Sequence, residues 1–327
     1  IFKTSSIIRK LGNSEVDAQE NKELLERQIR NEFYNARKEN NLLSTEKESL
    51  SEDSRKLLLK NFKHGFFEKQ KIFNEKALVL SFWHCIGHSI DLKKNNSYQI
   101  IKFFNLEVIV HNEKGTFWAF ENRCPHRGSK FFKDSCSISR VTCPYHGWTF
   151  TNSSTFITRK ETFKKFKHPE NIRPTTWKVK LIAGFIFIAF KPFFKIEEQL
   201  GKKVLENLYK IGYSLKNNFS TQFIEFKSDW KIAIENSLEP YHVNHIHKDS
   251  LAALGFDDGD NELFNWASIL NHNISSKRVQ QSIKHIKKML HLPIEFQGYW
   301  SLYLFPFAMI STTGGTTYAH QFYQPLK

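Results

Sequence analysis

Two short clusters of cysteine and histidine stand out as residues that could bind iron. Cys124 and His126 form a C-x-H arrangement, and Cys143 and His146 form a C-x-x-H arrangement. Two thiolates and two imidazoles can hold a [2Fe–2S] centre in which the thiolates bind one iron and the imidazoles bind the other. Such a centre carries electrons, so the pattern predicts redox chemistry.

The residues around these ligands suit tight loops. Pro125 and Pro144 restrict φ, and Gly128 and Gly147 let the backbone approach a cluster closely. Backbone N–H groups in such loops can donate hydrogen bonds to sulfur, which raises a reduction potential. The ligand types and their spacing are those of a Rieske-type centre.

A structural zinc site is the alternative for the same four residues. Zinc motifs usually pair two cysteines in one loop and two histidines in another, whereas each loop here mixes both types. Two further cysteines are not expected to be ligands. Cys136 lies in a polar stretch without a neighbouring histidine, and Cys85 in Trp83-His84-Cys85 is expected to be a core residue.

A second candidate metal site follows about a hundred residues later. Glu239, His242 and His247 form E-x-x-H-x-x-x-x-H, which fits part of a 2-His-1-carboxylate site for non-haem Fe(II). Five residues correspond to about 140° around an ideal helix, so His242 and His247 share a metal only if the helix ends or bends between them. Pro240 suits a helix that starts near Glu239. His245 competes as a ligand because it lies on the same helical face as His242.

The elements that must position these residues predict an α+β chain. Helical periodicity is expected over 14–60, 196–210 and 230–247. Short β-type runs surround the first cluster, and sheet returns at the end of the chain with a turn at Gly314-Gly315. The predicted strands are 77–80, 98–104, 107–111, 116–120, 148–150, 181–190, 223–226, 298–305 and 316–323.

Composition limits the class of protein. The chain has 327 residues, of which 40% are hydrophobic, and four cysteines. These values predict a globular protein without a disulfide framework, in a reducing and therefore cytoplasmic compartment. The longest apolar run, ten residues at 181–190, is too short to cross a bilayer as a helix, so no membrane is expected. Because the chain starts with Ile1, it is expected to be a fragment.

The net charge of +15 allows three interpretations. A nucleic-acid surface is one, but the 37 lysines against 11 arginines indicate a lysine-rich composition instead, because arginine is the residue of bidentate phosphate recognition. No nucleic acid is therefore expected. The third interpretation is docking of an acidic redox partner through charge steering.

Taken together, these motifs resemble the Rieske non-haem iron oxygenases, in particular their large (alpha) subunit, from about Phe73 to the end of the chain. The resemblance implies an N-terminal helical segment (1–70), an antiparallel β Rieske domain (71–190) and an incomplete helix-on-antiparallel-sheet catalytic domain of helix-grip type (191–327). A reductase or ferredoxin would supply electrons for activation of O₂ and for hydroxylation or demethylation of a small organic substrate.

Residue by residue, the resemblance assigns the cluster to Cys124, His126, Cys143 and His146. It assigns a mononuclear Fe(II) to His242 and His247. Glu239 would bridge an iron-bound histidine to a cluster histidine of a neighbouring subunit, which implies a homotrimer.

Two departures from the family pattern stand out. Many members have Asp where this chain has Glu239, and some relatives that act on quaternary amines have Glu, which favours a non-aromatic substrate. The family's third iron ligand is a later Asp, and no carboxylate after His247 lies in that context. We therefore expect the sequence to stop before that ligand. The carboxylates concerned are Asp249, Asp257, Asp258, Asp260, Glu262 and Glu295.

Two other functions compete with the oxygenase. A Rieske electron carrier would need only the first domain, so the length of the chain and the second motif argue against it. A basic nucleic-acid-binding protein with a structural metal would show steeply salt-dependent binding.

Overall fold

The computed structural model describes residues 75–152, 156–157, 164, 166, 172–215, 220–248, 251–252, 255–256, 259–292 and 296–325. The helices predicted over 14–60, and the N-terminal segment 1–70 as a whole, lie outside the described residues. Two antiparallel sheets dominate the described part, so the α+β prediction is confirmed.

A seven-stranded antiparallel sheet forms the first half, in the order β1-β10-β9-β4-β3-β2-β5. The predicted runs around Ile100, Ile109 and Ala119 form its centre, where strongly apolar residues are buried on both faces. The bounds are β1 Trp83–His88, β2 Ser97–Phe103, β3 Leu106–Glu113, β4 Thr116–Glu121, β5 Cys136–Ile138, β9 Thr176–Ile182 and β10 Phe185–Ala189.

A small three-stranded sheet accompanies it and frames the second Cys-His loop. Its strands are β6 Val141–Thr142, β7 Thr149–Phe150 and β8 Phe156–Ile157. The first Cys-His loop follows β4 directly. The second loop starts and ends on the paired strands β6 and β7.

The prediction of a single strand over 181–190 is wrong, because this run contains the end of one strand, a turn and the next strand. Strand β9 ends at Ile182, and β10 begins at Phe185. Ala183 and Gly184 between them have φ values of 51° and 84°, as a two-residue hairpin turn requires. A Cβ on Gly184 would lie 2.2 Å from Nε2 of His88, so only glycine fits there.

The second half is a five-stranded antiparallel sheet in the order β11-β12-β13-β14-β15. The predicted turn at Gly314-Gly315 connects its last two strands, as expected. The bounds are β11 Asp260–Leu263, β12 Ala267–His272, β13 Tyr299–Leu304, β14 Ala308–Thr313 and β15 Thr317–Phe322.

Five helices accompany the sheets in the described residues, and a 3₁₀ turn covers Ser89–Leu92. The predicted helix over 196–210 is confirmed and runs on to Ser214, with a kink where Gly201 has φ 72°. The bounds are α1 Glu75–Val79, α2 Ile196–Ser214, α3 Trp230–Leu238, α4 Val243–Ile246 and α5 Lys277–Leu290.

Two predicted strands are absent. The 77–80 run belongs to α1, since Leu78 and Val79 pack into two different cores and four apolar residues in a row carry no periodicity. Residues 223–226 form no strand with any described residue, and Phe223, Ile224 and Phe226 are exposed. A strand needs a partner, which local composition does not reveal.

One apolar core joins the two halves. It contains Trp83 and Phe187 from the first sheet, Leu208 from α2, and Ile269 and Leu302 from the second sheet. The buried amide of Gln199 spans the same contact: Oε1 accepts from Trp83 N at 2.8 Å, and Nε2 donates to Trp83 O at 2.9 Å and to Phe305 O at 3.3 Å.

Within the described residues, no helix combines the length and the apolar character that a membrane crossing would need.

Candidate functional site

The two Cys-His loops are the same backbone turn formed twice. In the first, Cys124 N donates to Ser129 O at 2.8 Å and Gly128 N to Cys124 O at 2.9 Å. In the second, Cys143 N donates to Trp148 O at 2.7 Å and Gly147 N to Cys143 O at 2.9 Å. The histidine occupies a different position in each turn, two residues after Cys124 but three residues after Cys143.

Gly128 and Gly147 occupy the same place in the two turns. Their φ values are 72° and 71°, in the left-handed region that side chains rarely adopt. The glycines predicted to permit tight loops therefore do so by closing the turn.

The loops place sulfur inside and imidazole outside. Cys124 and Cys143 are each 2% exposed, and their thiols contact one another. His126 is half-buried and His146 is exposed, with their ring centroids 4.8 Å apart. The site therefore consists of a buried thiol pair and an outer imidazole pair.

Aromatic rings fix both histidines. Trp148 stacks on His126 at 4.3 Å and 12°, and Phe166 contacts the same indole edge-to-face at 5.1 Å. Tyr145, 59% exposed, lies 4.1 Å from the ring of His146. The better-buried histidine thus has the better-buried aromatic partner.

Protonation of the ligands follows from their surroundings. Burial, and then the neighbouring Cys143 thiol, raise the pKa of Cys124 to about 11, although the backbone N–H groups of His126 and Arg127 oppose this rise. Desolvation, with help from His146 and Arg127, lowers the pKa of His126. His126 therefore keeps a lone pair for a metal.

These residues fit a two-iron cluster better than a zinc ion. Among the described residues, no three His, Cys, Asp or Glu side chains converge on a position for a single ion. A Rieske cluster needs only two protein ligands for each iron, one thiol pair and one imidazole pair. Those two pairs are what the loops present.

Asn122 supports the first loop and was missed by the sequence analysis. Its side chain is 3% exposed, accepts from Phe131 N and Phe132 N at 3.0 and 3.1 Å, and donates to Phe132 O at 2.9 Å. Its position in the sequence, a polar residue between a buried strand and a candidate ligand, could have indicated this role. Its amide fixes where the chain leaves the loop.

The second candidate site lies at a break between two helices. Helix α3 ends at Leu238, and α4 has His242 at its N-terminal cap and His247 at its C-terminal cap. The helix predicted over 230–247 is therefore interrupted, and Pro240 lies between the helices, not in a first turn. The condition set by the spacing is met at the other end of α4, because this four-residue helix ends at His247, whose φ of −108° and ψ of 38° are not helical. The rings of His242 and His247 lie 5.3 Å apart.

Glu239 orients His242. Its carboxylate accepts the His242 backbone N–H at 3.0 Å and lies 3.1 Å from Nδ1. An ionised carboxylate only accepts, so Nδ1 carries the proton and Nε2 keeps its lone pair. His245, the competing ligand, is exposed, and among the described residues only its backbone N–H contacts this group, by donating to His242 O at 3.0 Å.

No third ligand joins the histidine pair within the described residues. Glu262 instead pairs with Lys203 at 2.5 Å, and Asp260 lies on the same edge strand β11. Asp249, Asp257, Asp258 and Glu295 lie outside the described residues. The expectation that the third ligand lies elsewhere stays a prediction.

Comparison with known proteins gives the family. Residues 82–168 match the Rieske [2Fe-2S] domain, and residues 214–323 match the ring-hydroxylating alpha subunit, catalytic domain. The carnitine monooxygenase oxygenase subunit of Acinetobacter pittii is 30% identical over 197 residues, 57% of this chain and 52% of that protein. The chloroplastic choline monooxygenase of Amaranthus tricolor is 30% identical over 183 residues, 54% and 41% respectively.

Solved structures show the same fold. A quaternary ammonium Rieske monooxygenase with L-carnitine has a TM-score of 0.62 at 22% identity, over 77% of this chain and 67% of that one. Naphthalene 1,2-dioxygenase from Rhodococcus has a TM-score of 0.61 at 15% identity, over the same shares. The chain spans about half the length of the curated relatives it matches, 52% for the Acinetobacter pittii protein.

The chain thus has a Rieske domain followed by a ring-hydroxylating alpha-subunit catalytic domain, and it is homologous to large subunits of Rieske oxygenases. These two domains imply a Rieske [2Fe–2S] cluster and a mononuclear iron.

Proposed function

We propose that this chain is the oxygenase component of a Rieske non-haem iron oxygenase. The observation that carries the proposal is the arrangement of Glu239, His242 and His247 across the α3–α4 break. An electron carrier has no use for a carboxylate-oriented histidine pair, so this site favours an enzyme. A reductase or ferredoxin would supply the electrons.

The side chains have distinct roles in this proposal. Cys124 and Cys143 would hold one cluster iron, and His126 and His146 the other. His242 and His247 would hold the mononuclear iron, which supplies O₂ activation when bound. Glu239 keeps the proton of His242 on Nδ1, so that Nε2 remains a ligand.

We propose that the two centres cooperate between subunits of a homotrimer. Within one chain, none of the contacts of the described residues joins Glu239 to His126 or His146. The Glu239 side chain is 36% exposed, and His146 is exposed. Glu239 can therefore accept a hydrogen bond from the cluster histidine of a neighbouring subunit while it orients its own His242.

The proposed substrate class is a quaternary trimethylammonium compound. Two observations support it: relatives named as carnitine and choline monooxygenases, and Glu rather than Asp at position 239. Among the described residues after 250, the apolar side chains in the second core do not form a cation cage. Trp266, Phe305 and Met309 are 3%, 3% and 2% exposed and pack with Phe82 and Phe194 in a core.

The domain division remains part of the proposal, with an N-terminal helical segment at 1–70, the Rieske domain at 71–190 and the catalytic domain at 191–327. A reducing, cytoplasmic compartment is proposed because all four cysteines are free.

The first experiment is low-temperature EPR of the anaerobically reduced protein, with iron analysis of the same sample. A rhombic signal with average g below that of the free electron, with more iron than the cluster accounts for, would support two centres. Turnover of carnitine, choline and the uncharged choline isostere 3,3-dimethylbutanol would follow, with oxygen uptake measured. Monooxygenation consumes one O₂, two electrons and two protons and gives one hydroxylated product and one water.

Two results would contradict the proposal. If the protein contains zinc and no iron, the chain is a binding protein with a structural metal and not a redox enzyme. Cluster iron alone, with no product from any substrate, would favour the electron carrier. If 3,3-dimethylbutanol reacts as well as choline, the trimethylammonium preference is wrong although the oxygenase assignment stands.

A further inference from the structure

A cavity of about 440 Å³ opens beside the first Cys-His loop. Its wall contains two cluster-ligand candidates, Cys124 and His126, so anything inside it lies next to the cluster. The remaining lining residues are Glu121, Arg123, Pro125, Arg127, Gly128, Arg173, Pro174 and Thr175.

The charge of this cavity is unusual for the chain. Of the described residues that line it, three are arginines (Arg123, Arg127 and Arg173), none is a lysine, and one, Glu121, is acidic. Lysines outnumber arginines 37 to 11 in the whole sequence, so the lysine-rich composition does not explain this selection. Arginine presents a rigid fork of N–H donors that matches a carboxylate, which lysine does not.

Strand pairing creates the cavity from distant parts of the chain. Phe120 on β4 pairs with Thr176 on β9, and Glu121 N extends the ladder by donating to Thr175 O at 2.9 Å. Arg173 and Arg123 thereby meet across the end of the same ladder.

The Arg123 guanidinium lies against the loop. A Cβ on Gly128 would be 3.0 Å from its Nε, so the glycine leaves room for it. Among the described residues, no carboxylate pairs with Arg123 or Arg127, and both side chains are exposed. Their donors are therefore free for a group from another molecule.

We propose that this cavity receives carboxylate side chains of an acidic protein that donates single electrons to the cluster. The inference rests on the proposed function and assigns the docking site of its electron donor. Net charge of +15 attracts such a protein at long range, and the arginine forks then fix its position beside His126. One electron leaves the reduced donor and reduces the cluster, and no bond forms or breaks.

The test uses the cluster-loaded full chain with a small acidic plant-type [2Fe–2S] ferredoxin as the probe. Stopped-flow absorbance follows cluster reduction by reduced ferredoxin at increasing salt, and calorimetry measures binding of oxidised ferredoxin. We expect Arg123→Gln to slow reduction at low salt by roughly 5- to 30-fold, with the loss shrinking at high salt. Arg123→Lys should recover part of the rate because charge returns without the fork.

Two controls separate docking from damage. Lys114→Gln removes one charge at the other end of β4, about 20 Å away at 3.3 Å per residue, and should change the rate less than twofold. Reduction by the methyl viologen radical cation should not slow in any variant, because a cation gains nothing from these arginines.

Three results would overturn the inference. The first is a rate for Arg123→Gln equal to that for Lys114→Gln. The second is equal slowing of viologen and ferredoxin reduction in Arg123→Gln, which would mean a damaged cluster. In the third, light scattering would show a changed subunit number while ferredoxin binding stayed constant, which would mean that a second copy of the chain covers the cavity. If salt-dependent ferredoxin reduction holds but no substrate is oxidised, the proposed function fails and the docking site stands.

Discussion

Glu239 contacts His242 at two points, through the backbone N–H at 3.0 Å and through Nδ1 at 3.1 Å. One carboxylate thereby fixes both where the short helix α4 begins and which nitrogen of its first histidine faces a metal. The orientation of the proposed iron ligand depends on this residue.

Removing this carboxylate should weaken the iron site selectively. We expect Glu239→Ala to lower iron affinity at the histidine pair by roughly 10- to 100-fold, and Glu239→Gln to lower it less, because an amide oxygen still accepts a hydrogen bond from Nδ1. Iron analysis and EPR should show an unchanged cluster. Glu206→Gln, on the exposed face of α2, is the matched control. Equal iron retention in Glu239→Ala and the control would contradict the orienting role.

The two loop glycines allow a paired prediction. Gly128→Ala and Gly147→Ala should each cost about 1–2 kcal/mol, because both positions have left-handed backbone. Only Gly128→Ala should also slow ferredoxin, since its Cβ meets Arg123 while the space beside Gly147 is open. Urea unfolding and stopped-flow reduction measure the two effects. A similar loss of ferredoxin rate in both variants would count against the contact.

Substitution of the cysteines should show which of them bind the cluster and which do not. Cys136 is exposed on the edge strand β5, outside both loops, so Cys136→Ser should leave the visible absorbance of the cluster intact. Cys143→Ser should abolish that absorbance, because the buried thiol pair loses a member. Cys85, buried as expected, has its pKa raised by burial and is not a ligand candidate. Cluster loss in Cys136→Ser would require a revised ligand set.

His84 should make the protein sensitive to acid. It is 2% exposed, its ring stacks on Phe307, and neither ring nitrogen has a hydrogen-bond partner of normal geometry. Burial lowers its pKa to about 3, although the backbone of Val79 favours the charged form. His84 therefore stays neutral when folded and takes up a proton when unfolded.

The sign of the pH effect follows from that difference. The contribution of the neutral His84 side chain to the free energy of unfolding is fully present above the ordinary histidine pKa of 6.5. It decreases as pH falls towards about 3, by up to about 1.4 kcal/mol per pH unit. His320, whose pKa burial lowers to about 4, acts in the same direction. The urea midpoint of His84→Leu should therefore fall less than that of the native chain between pH 7 and pH 5. Parallel decreases would contradict the assignment.

The predicted parts of the structure are those that depend on neighbours in sequence. Cys124 and His126, or Glu239 and His242, are two or three residues apart, so ligand type and spacing predict their contact. The cavity arginines were not predictable, because Arg123 and Arg173 meet only through the pairing of β4 with β9. The hairpin within 181–190 was not predicted because its two turn residues, Ala183 and Gly184, are themselves apolar or small and do not interrupt the apolar run.

The shared core limits how this chain can be divided. Trp83, Leu208 and Leu302 come from three successive parts of the sequence yet lie in one apolar cluster. The Gln199 amide donates to the backbone carbonyls of both Trp83 and Phe305. A cut near residue 190 would expose the apolar surface of this core on both fragments. The half that contains the Rieske domain is therefore not an independent unit that can be moved alone into another protein. A chimera must bring α2 and its contacts along with it.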